Sequence, residues 1–379
     1  MAGIYVHIPY CKSKCVYCDF YSVVVSVVPA RRYVHSVIQE AMLRREELNE
    51  SVTTLYLGGG TPSALSHTEL QTLINDLREV LNLNEIQEFT VEVNPDDVNS
   101  ELVQALTELG VNRVSMGVQS LDDDDLRFMR RRHTAREALN AIALLKAGGI
   151  TNVSVDFIYG VPGQTLESWN RTLDVLAKTD VEHVSAYNLS YEEGTPLWKM
   201  RECGQVKEIS DELAVAMFDL LCTRLSEAGF EHYEISNFAK PGYYSRHNSS
   251  YWQGVPYLGL GAAAHSYDGR ATRSYNPADV KRYVESMDSG VAVCEREYLS
   301  TRELHDEMVM LRLRTACGLD VAEVERRFGL EASRAIERKA APFVSGGLLK
   351  CTGRVYSFTR QGIAVSNMVM SELMMVETP

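Results

Sequence analysis

Short apolar, β-branched segments alternate with longer segments of helical periodicity through the first half of the chain. Strands are predicted at Gly3–Ile8, Thr53–Leu57, Phe89–Val93, Arg113–Val118, Asn152–Ile158 and His183–Asn188. Helices are predicted between them at Tyr33–Asn49, His67–Leu81, Ser100–Leu109, Arg136–Ala147 and Leu166–Lys178. Strands that alternate with helices imply parallel βαβ units with right-handed crossovers. Six such units form an open barrel or a doubly wound sheet, and in both the chemistry lies at the C-terminal strand ends.

The pattern changes in the second half of the chain. A helix is predicted at Ser210–Ala228, and the Gly- and Tyr-rich stretch Phe238–Tyr275 has little periodicity and many turn residues. The last elements predicted are helices at Thr301–Arg314, Val321–Phe328 and Leu330–Val344, a hairpin of Leu349–Cys351 and Val355–Thr359, and a helix at Arg360–Met375. Helices around a small hairpin indicate a winged-helix-like α+β domain. The predicted domains are a core at 1–200, an extension at 201–298 and a C-terminal domain at 299–379.

Composition and charge narrow the class of protein. The 379 residues carry a net charge of −13, which argues against a nucleic-acid-binding protein, whose affinity would come from a basic face. The sequence lacks a signal-peptide pattern and any run of 18 apolar residues, so we expect a cytoplasmic protein that meets membranes only by association. In a reducing compartment, closely spaced cysteines indicate a metal site rather than disulfides.

Three cysteines follow the first predicted strand. Cys11, Cys15 and Cys18 stand in CKSKCVYC, with spacing C-x3-C-x2-C. Three thiolates can hold one cubane iron–sulfur cluster and leave its fourth iron without a protein ligand, as a catalytic metal site requires. The alternatives are a zinc knuckle, which would need a fourth Cys or His nearby, and three unrelated buried cysteines.

Polar side chains also stand at the ends of the following strands. Glu92, Gln119 and Asp156 lie near the ends of three successive strands, so they should converge on the mouth of a barrel, although each alone could be a solvated strand end. Gly58–Thr61 follows the second strand, and such a turn either lets the backbone approach a ligand or makes a tight connection.

A second informative block is Arg246-His247-Asn248-Ser249-Ser250-Tyr251-Trp252. Histidine can ligate heme iron, and Tyr251 and Trp252 can stack on a porphyrin face. A histidine among aromatic residues is otherwise a hydrogen-bonded core residue. His265, in LGLGAAAHSY, is a second histidine that could act as a ligand.

The motifs together resemble one known family. YVHIPYCKSKCVYCDF, LGGGTPS, VEVNPDD, MGVQS, DFIYGVPGQT and HNSSYW run in order from residue 5 and are similar to the radical S-adenosylmethionine (SAM) family of oxygen-independent coproporphyrinogen III oxidase-like proteins, above all to its heme-chaperone branch. The resemblance implies an α/β fold with a partial (β/α)6 TIM-like barrel, a [4Fe–4S] cluster on the three cysteines, and SAM. It implies SAM contacts at Tyr5, Tyr17, Gly59, Gly60, Thr61, Glu92, Gln119, Arg131 and Asp156, and heme contacts at His247, Asn248, Tyr251 and Trp252.

Two functions follow from this resemblance. The favoured one is a heme chaperone that binds heme and delivers it to acceptors such as respiratory cytochromes, as a monomer or homodimer. The alternative is an oxygen-independent coproporphyrinogen III oxidase, a radical oxidative decarboxylase. In the oxidases the last cysteine of the triad is followed by Gly and a further Cys, whereas here Cys18 is followed by Asp19 and Phe20, as in the chaperone branch. The sequence therefore favours the chaperone.

Overall fold

The computed structural model describes residues 1–24, 27–48 and 50–375. Its strands are β1 (Ala2–Ile8), β2 (Tyr10–Cys11), β3 (Val23–Val24), β4 (Val52–Gly59), β5 (Glu88–Val93), β6 (Arg113–Gln119), β7 (Asn152–Tyr159), β8 (His183–Asn188), β9 (Glu231–Glu234), β10 (Asn237–Ala239), β11 (Tyr257–Leu260), β12 (His265–Tyr267), β13 (Thr272–Tyr275), β14 (Glu295–Tyr298), β15 (Leu319–Asp320), β16 (Leu349–Thr352) and β17 (Val355–Phe358).

The α-helices are α1 (Ala30–Arg44), α2 (His67–Val80), α3 (Ser100–Glu108), α4 (Asp123–Phe128), α5 (Ala135–Ala147), α6 (Leu166–Leu176), α7 (Pro196–Glu202), α8 (Asp211–Glu227), α9 (Arg246–Trp252), α10 (Val280–Asp288), α11 (Thr301–Leu313), α12 (Val321–Phe328), α13 (Leu330–Ser345), α14 (Arg360–Ala364) and α15 (Ser366–Leu373). Short 3-10 helices cover Arg45–Glu47, Pro62–Ala64 and Pro95–Asp97. Of the predicted first helix, Asn49 lies outside the described residues, and so do residues 376–379 of the predicted C-terminal domain.

The core is the predicted partial (β/α)6 barrel. Strands β1, β4, β5, β6, β7 and β8 lie side by side in that order, and every neighbouring pair is parallel. All six were predicted, with ends within two residues of those observed, because their apolar, β-branched segments are buried on the sheet. Capping boxes at Ser66, Thr134 and Thr165 start α2, α5 and α6, which return the chain along the sheet.

The Gly- and Tyr-rich stretch is more regular than predicted. Phe238–Tyr275 contains most of β10, all of β11, β12 and β13, and helix α9. Strand β11 pairs in parallel with β1, with Gly3 opposite Tyr257, and β12, β13 and β14 follow it antiparallel. These strands have only three or four residues, and Gly259 interrupts the apolar run of β11, so their sequence carries little strand signal.

A buried ion pair joins this extension to the barrel. Arg44, at the end of α1, donates to Glu40 at 2.7 Å and to the carbonyl oxygen of Gly259 at 3.1 Å. Glu40 in turn accepts from the backbone N–H of Gly261 at 2.8 Å and from the hydroxyl of Tyr283 at 2.7 Å. Because both charges are buried and hydrogen-bonded, this network fixes α1, β11 and α10 together.

The C-terminal domain has the predicted winged-helix-like form. Helices α11, α12 and α13 pack with a three-stranded antiparallel sheet in the order β15, β17, β16. The predicted helix Arg360–Met375 is wrong as a single element: α14 ends at Ala364, Val365 leaves the helical region, and α15 begins at Ser366. Gly362, which disfavours helix, sits against the carbonyl oxygen of Leu348. Among the described helices, none is long and apolar enough to cross a membrane.

Candidate functional site

A cavity of about 420 Å³ opens at the C-terminal ends of the barrel strands. The last or penultimate residues of five of these strands line it, namely Gly59, Val93, Gln119, Ile158 and Asn188. This is the edge where a parallel barrel places its chemistry, because the loops that follow the strands converge there. The loop after β2 covers one side of the cavity.

The three clustered cysteines lie at the end of β2 and in this covering loop. Cys11, Cys15 and Cys18 all line the cavity and are partly exposed to it. Burial raises the pKa of the Cys11 thiol, and it raises the pKa of Cys18 to about 11. The guanidinium of Arg131 donates to the Cys15 sulfur at 3.3 Å, an interaction that stabilises a thiolate.

The donor set fits a cubane cluster. Among the described residues, no three His, Cys, Asp or Glu side chains converge as ligands of a single metal ion do. A cubane cluster instead binds each thiolate at a separate iron, so it needs thiols distributed around a space. The cavity lining contains the three thiols together with carboxylates and amides.

The glycine at the end of β4 is required by the backbone and the packing. Gly59 has φ of +110°, a region that L side chains rarely adopt, and a Cβ there would lie 2.5 Å from the imidazole ring of His7. The Gly59 N–H donates to Glu92 at 3.1 Å. Gly60 and Thr61 also line the cavity, so this turn presents backbone to the space beside the cysteines.

The cavity environment alters the Glu92 carboxyl group. It accepts a hydrogen bond from the hydroxyl of Tyr56 at 2.7 Å, besides that from Gly59. Burial raises the pKa of Glu92 to about 7, and the nearby Asp156 carboxyl adds to the shift. Burial also raises the pKa of Asp156, whose carboxyl group accepts a hydrogen bond of 3.4 Å from the hydroxyl of Ser115.

The predicted residues Glu92, Gln119, Arg131 and Asp156 are brought together in the lining of this cavity, with Tyr17. Gln119 lies at a register shift between β6 and β7 and has φ of +67°, an uncommon conformation for a residue with a side chain. Strained backbone at a ligand-binding edge is a frequent sign of function. Arg131 donates to the side-chain oxygen of Asn94 at 2.6 Å and to the carbonyl oxygen of Gly117 at 2.8 Å, which fixes its guanidinium.

Sequence reasoning missed Arg113. It begins β6, is 1% exposed and lines the cavity, and its Nε and Nη1 atoms have no hydrogen-bond partner in the described part of the chain. A buried guanidinium with free donors fits an anionic or hydroxyl-rich ligand. The sequence feature that could have revealed Arg113 is a charged residue at the first position of a strand expected to be buried.

Tyr5 is the predicted SAM contact that is not part of this lining. Its hydroxyl bonds to Nδ1 of His7 at 3.0 Å, and its ring lies 6.0 Å from that of Tyr56, which does line the cavity. Tyr5 lies on the wall of a second cavity, of about 630 Å³. Its contact with SAM therefore stays a prediction.

The HNSSYW block is divided between three environments. Asn248 lines the first cavity, whereas Tyr251 and Trp252 line the second. His247 lines neither: it is 1% exposed, with Nδ1 bonded to Thr54 at 2.8 Å and Nε2 bonded to Tyr251 at 2.7 Å. Burial lowers the pKa of His247 to about 3, so the ring is neutral. This is the geometry of the hydrogen-bonded core residue that the sequence left open as an alternative.

Comparison with known proteins identifies the family of the chain. Residues 5–176 match the model of the radical SAM superfamily, and residues 299–365 match the HemN C-terminal domain. Heme chaperone HemW of Bacillus subtilis (strain 168) is 32% identical over 97% of this chain and 98% of its own length. HemW of Mycobacterium tuberculosis (strain ATCC 25618 / H37Rv) is 34% identical over 98% of this chain and 94% of its own length.

A mitochondrial relative and a solved structure extend the comparison. Radical S-adenosyl methionine domain-containing protein 1, mitochondrial, of Bos taurus is 35% identical over 84% of this chain and 74% of its own length. The structure of coproporphyrinogen III oxidase (HemN) from Escherichia coli, a radical SAM enzyme, superposes with a TM-score of 0.85 at 23% identity, covering 99% of this chain and 90% of that one. That likeness concerns the fold. The chain thus belongs to the radical SAM family of oxygen-independent coproporphyrinogen III oxidase-like proteins, in the group of heme chaperone HemW.

Proposed function

We propose that this chain is a heme chaperone, which binds heme and delivers it to acceptor proteins such as respiratory cytochromes. Membership of the radical SAM superfamily implies a [4Fe–4S] cluster and SAM. We assign both to the first cavity, where they serve a regulatory or structural role. The observation that carries the proposal is the pair of cavities, one lined by three thiols and the other by aromatic side chains, in a relative of HemW.

Cys11, Cys15 and Cys18 would hold the cluster. When bound, a cluster with an open iron supplies a coordination position for SAM and an electron for its sulfonium. Arg131 orients the Cys15 side chain by its hydrogen bond of 3.3 Å and places a positive charge beside it. Asn94 holds Arg131 in that position.

The other lining residues would hold SAM. Gly60 and Thr61 present the turn after β4 next to the cysteines, with the Thr61 hydroxyl 3.6 Å from the Cys11 sulfur, and Tyr17 lines the same cavity. Glu92, already fixed by Tyr56 and Gly59, can accept hydrogen bonds from ribose hydroxyls, and so can Asp156.

The proposal is tested by heme transfer under anaerobic conditions. The full chain is reconstituted with iron and sulfide, loaded with one equivalent of heme, and mixed with the heme-free form of a b-type cytochrome. Cytochrome formation is followed by absorbance, with the same concentration of free heme as the reference. The variant Cys15→Ala tests the cluster, and Cys203→Ala is its matched control because Cys203 is exposed and lines neither cavity.

We expect saturable heme binding and transfer that differs in rate from that of free heme. We also expect Cys15→Ala, and not Cys203→Ala, to lose the cluster band at ~400 nm. Transfer at the rate of free heme, or no saturable binding, would refute the chaperone proposal. So would conversion of coproporphyrinogen III to protoporphyrinogen above background, which would make the chain the oxidative decarboxylase.

A further inference from the structure

The second cavity lies between the barrel extension and the C-terminal domain. Its volume of about 630 Å³ falls within the range of roughly 300–1,000 Å³ that is usual for small-molecule and cofactor sites. One wall comes from β1, β11, β12 and β13, and the opposite wall comes from α11 and α12. The residues of the cavity therefore come from sequence segments about 300 residues apart, which the fold alone brings together.

The surfaces of this cavity suit a flat apolar ligand. Tyr251 and Trp252 of helix α9 line it together with Tyr257 and Tyr267, and α11 contributes the thioethers of Met308 and Met310. Aromatic rings and flexible thioethers are the side chains that pack best against an extended π-system. The ring of Tyr251 lies edge-on to that of Tyr257, with centroids 4.6 Å apart.

One histidine of this cavity is open to a ligand. His7 also lines it, but its Nδ1 bonds to Tyr5 at 3.0 Å and its Nε2 bonds to the Tyr21 carbonyl oxygen at 3.0 Å. His265, on β12, has an exposed side chain that makes no hydrogen bond to another described residue. Partial burial and the nearby Arg273 lower the pKa of His265, so its ring is neutral at pH 7 and can donate a lone pair.

Three arginines and two carboxylates, those of Asp19 and Glu307, line the same opening. Arg273, Arg312 and Arg327 line the cavity, in a protein whose net charge is −13. Arg273 and Arg312 are paired at close range, with Glu307 at 3.0 Å and with Glu323 at 3.1 Å. The ion pair of Arg327 with Glu323 is longer, at 3.8 Å, and its side chain is 38% exposed, so it retains donors for a carboxylate.

We propose that this cavity is the heme site, with His265 as an axial ligand of the iron and Arg327 at a propionate. The inference rests on the proposed chaperone function and deepens it by giving heme a place and a ligand. It moves the iron away from His247, whose two ring nitrogens are already engaged by Thr54 and Tyr251. Tyr251 and Trp252 of the same block remain part of the site, as aromatic walls.

The location also explains how heme and the cluster cavity can communicate. Asp19 and Phe20, which directly follow Cys18, line both cavities. Phe20 is 66% exposed, so its ring is available to pack against a ligand in either cavity. Heme in the second cavity would lie against the loop that carries the cysteines.

The test is a titration of the full, anaerobically reconstituted chain with heme and, separately, with iron-free protoporphyrin IX. The variants are His265→Ala, the cavity-filling Met310→Trp, and His35→Ala as a control, because His35 is exposed on α1 and lines neither cavity. The readouts are the Kd for each porphyrin and the position of the Soret band. Protoporphyrin IX fills the cavity without needing an axial ligand, so it reports whether the variant cavity is intact.

We expect His265→Ala to shift the Soret band and weaken heme binding about tenfold or more, while its Kd for protoporphyrin IX stays within about twofold of the wild-type value. Met310→Trp should weaken the binding of both porphyrins, and His35→Ala should change the binding of neither. The wild type could bind heme saturably while His265→Ala and Met310→Trp show the same Kd for heme and the same Soret band as the wild type. That result would refute this site and leave the chaperone proposal standing. If the wild type binds no heme saturably, the chaperone proposal fails, and the site fails with it.

Discussion

Glu92→Gln tests how one buried carboxyl group in the first cavity makes the stability of the fold depend on pH. The carboxyl accepts from Tyr56 and from the Gly59 N–H, and burial raises its pKa to about 7. Glutamine has the same shape and can keep both contacts, since its oxygen accepts from Gly59 and its amide N–H can donate to the Tyr56 hydroxyl. The substitution therefore removes an ionisable group with little change in packing.

The sign of the effect follows from the raised pKa. The unfolded chain loses this proton near its ordinary pKa of 4.5, whereas the folded chain keeps it up to about pH 7. Between these values the folded state binds more protons, so the contribution of Glu92 to stability falls as pH rises. This difference in pKa corresponds to a destabilisation of the folded state by about 3 kcal/mol at pH 8. The figure is an upper value, because the side chain lines the cavity and meets water there.

The assay is urea unfolding of the cluster-free chain between pH 5 and pH 8, followed by far-UV circular dichroism. We expect the stability of Glu92→Gln relative to wild type to increase with pH over this window, by up to about 3 kcal/mol. Glu85→Gln is the matched control, because Glu85 is exposed in the turn before the same strand. A difference between wild type and Glu92→Gln that stays constant with pH would refute the reasoning.

Three further substitutions test the site and the core. Cys15→Ala removes the acceptor of the Arg131 hydrogen bond, and we expect absorbance after reconstitution to lack the ~400 nm cluster band. Gly59→Ala forces a Cβ against His7, so it should cost about 1–3 kcal/mol in thermal unfolding and weaken SAM binding in calorimetry; unchanged values would contradict the turn geometry. Arg44→Met leaves Glu40 buried without its partner, and urea unfolding should show that the free energy of unfolding falls by about 3–5 kcal/mol.

The barrel and its first cavity could be predicted because their signals are local. The pattern that predicts a strand such as Arg113–Gln119 lies within seven consecutive residues, and the three cysteines lie within the short segment 11–18. Strand ends in a parallel barrel converge by geometry, so Glu92, Gln119 and Asp156 could be expected to meet without knowing any side-chain contact.

The second cavity and the place of His247 could not be predicted in this way. His247 is held in the core by two contacts with distant residues. Its Nδ1 is hydrogen-bonded to the hydroxyl of Thr54, which lies 193 residues earlier in the chain, and its backbone N–H donates to the carboxylate of Glu88. Strand β11 has four residues and owes its place to pairing with β1. Such features depend on which distant segments meet, and composition or periodicity within a window does not contain that information.

The pairing of β1 with β11 has a consequence for how the protein is made. One edge of the first strand stays without its partner until Tyr257–Leu260 have left the ribosome, which at 5–20 residues per second takes roughly 10–50 s. During that time an apolar strand edge is available to other chains. Translation pauses before residue 257, or fragments that end near residue 200, should therefore favour aggregation. The chain thus needs protection by chaperones during synthesis, and this need ends once β11 has paired with β1.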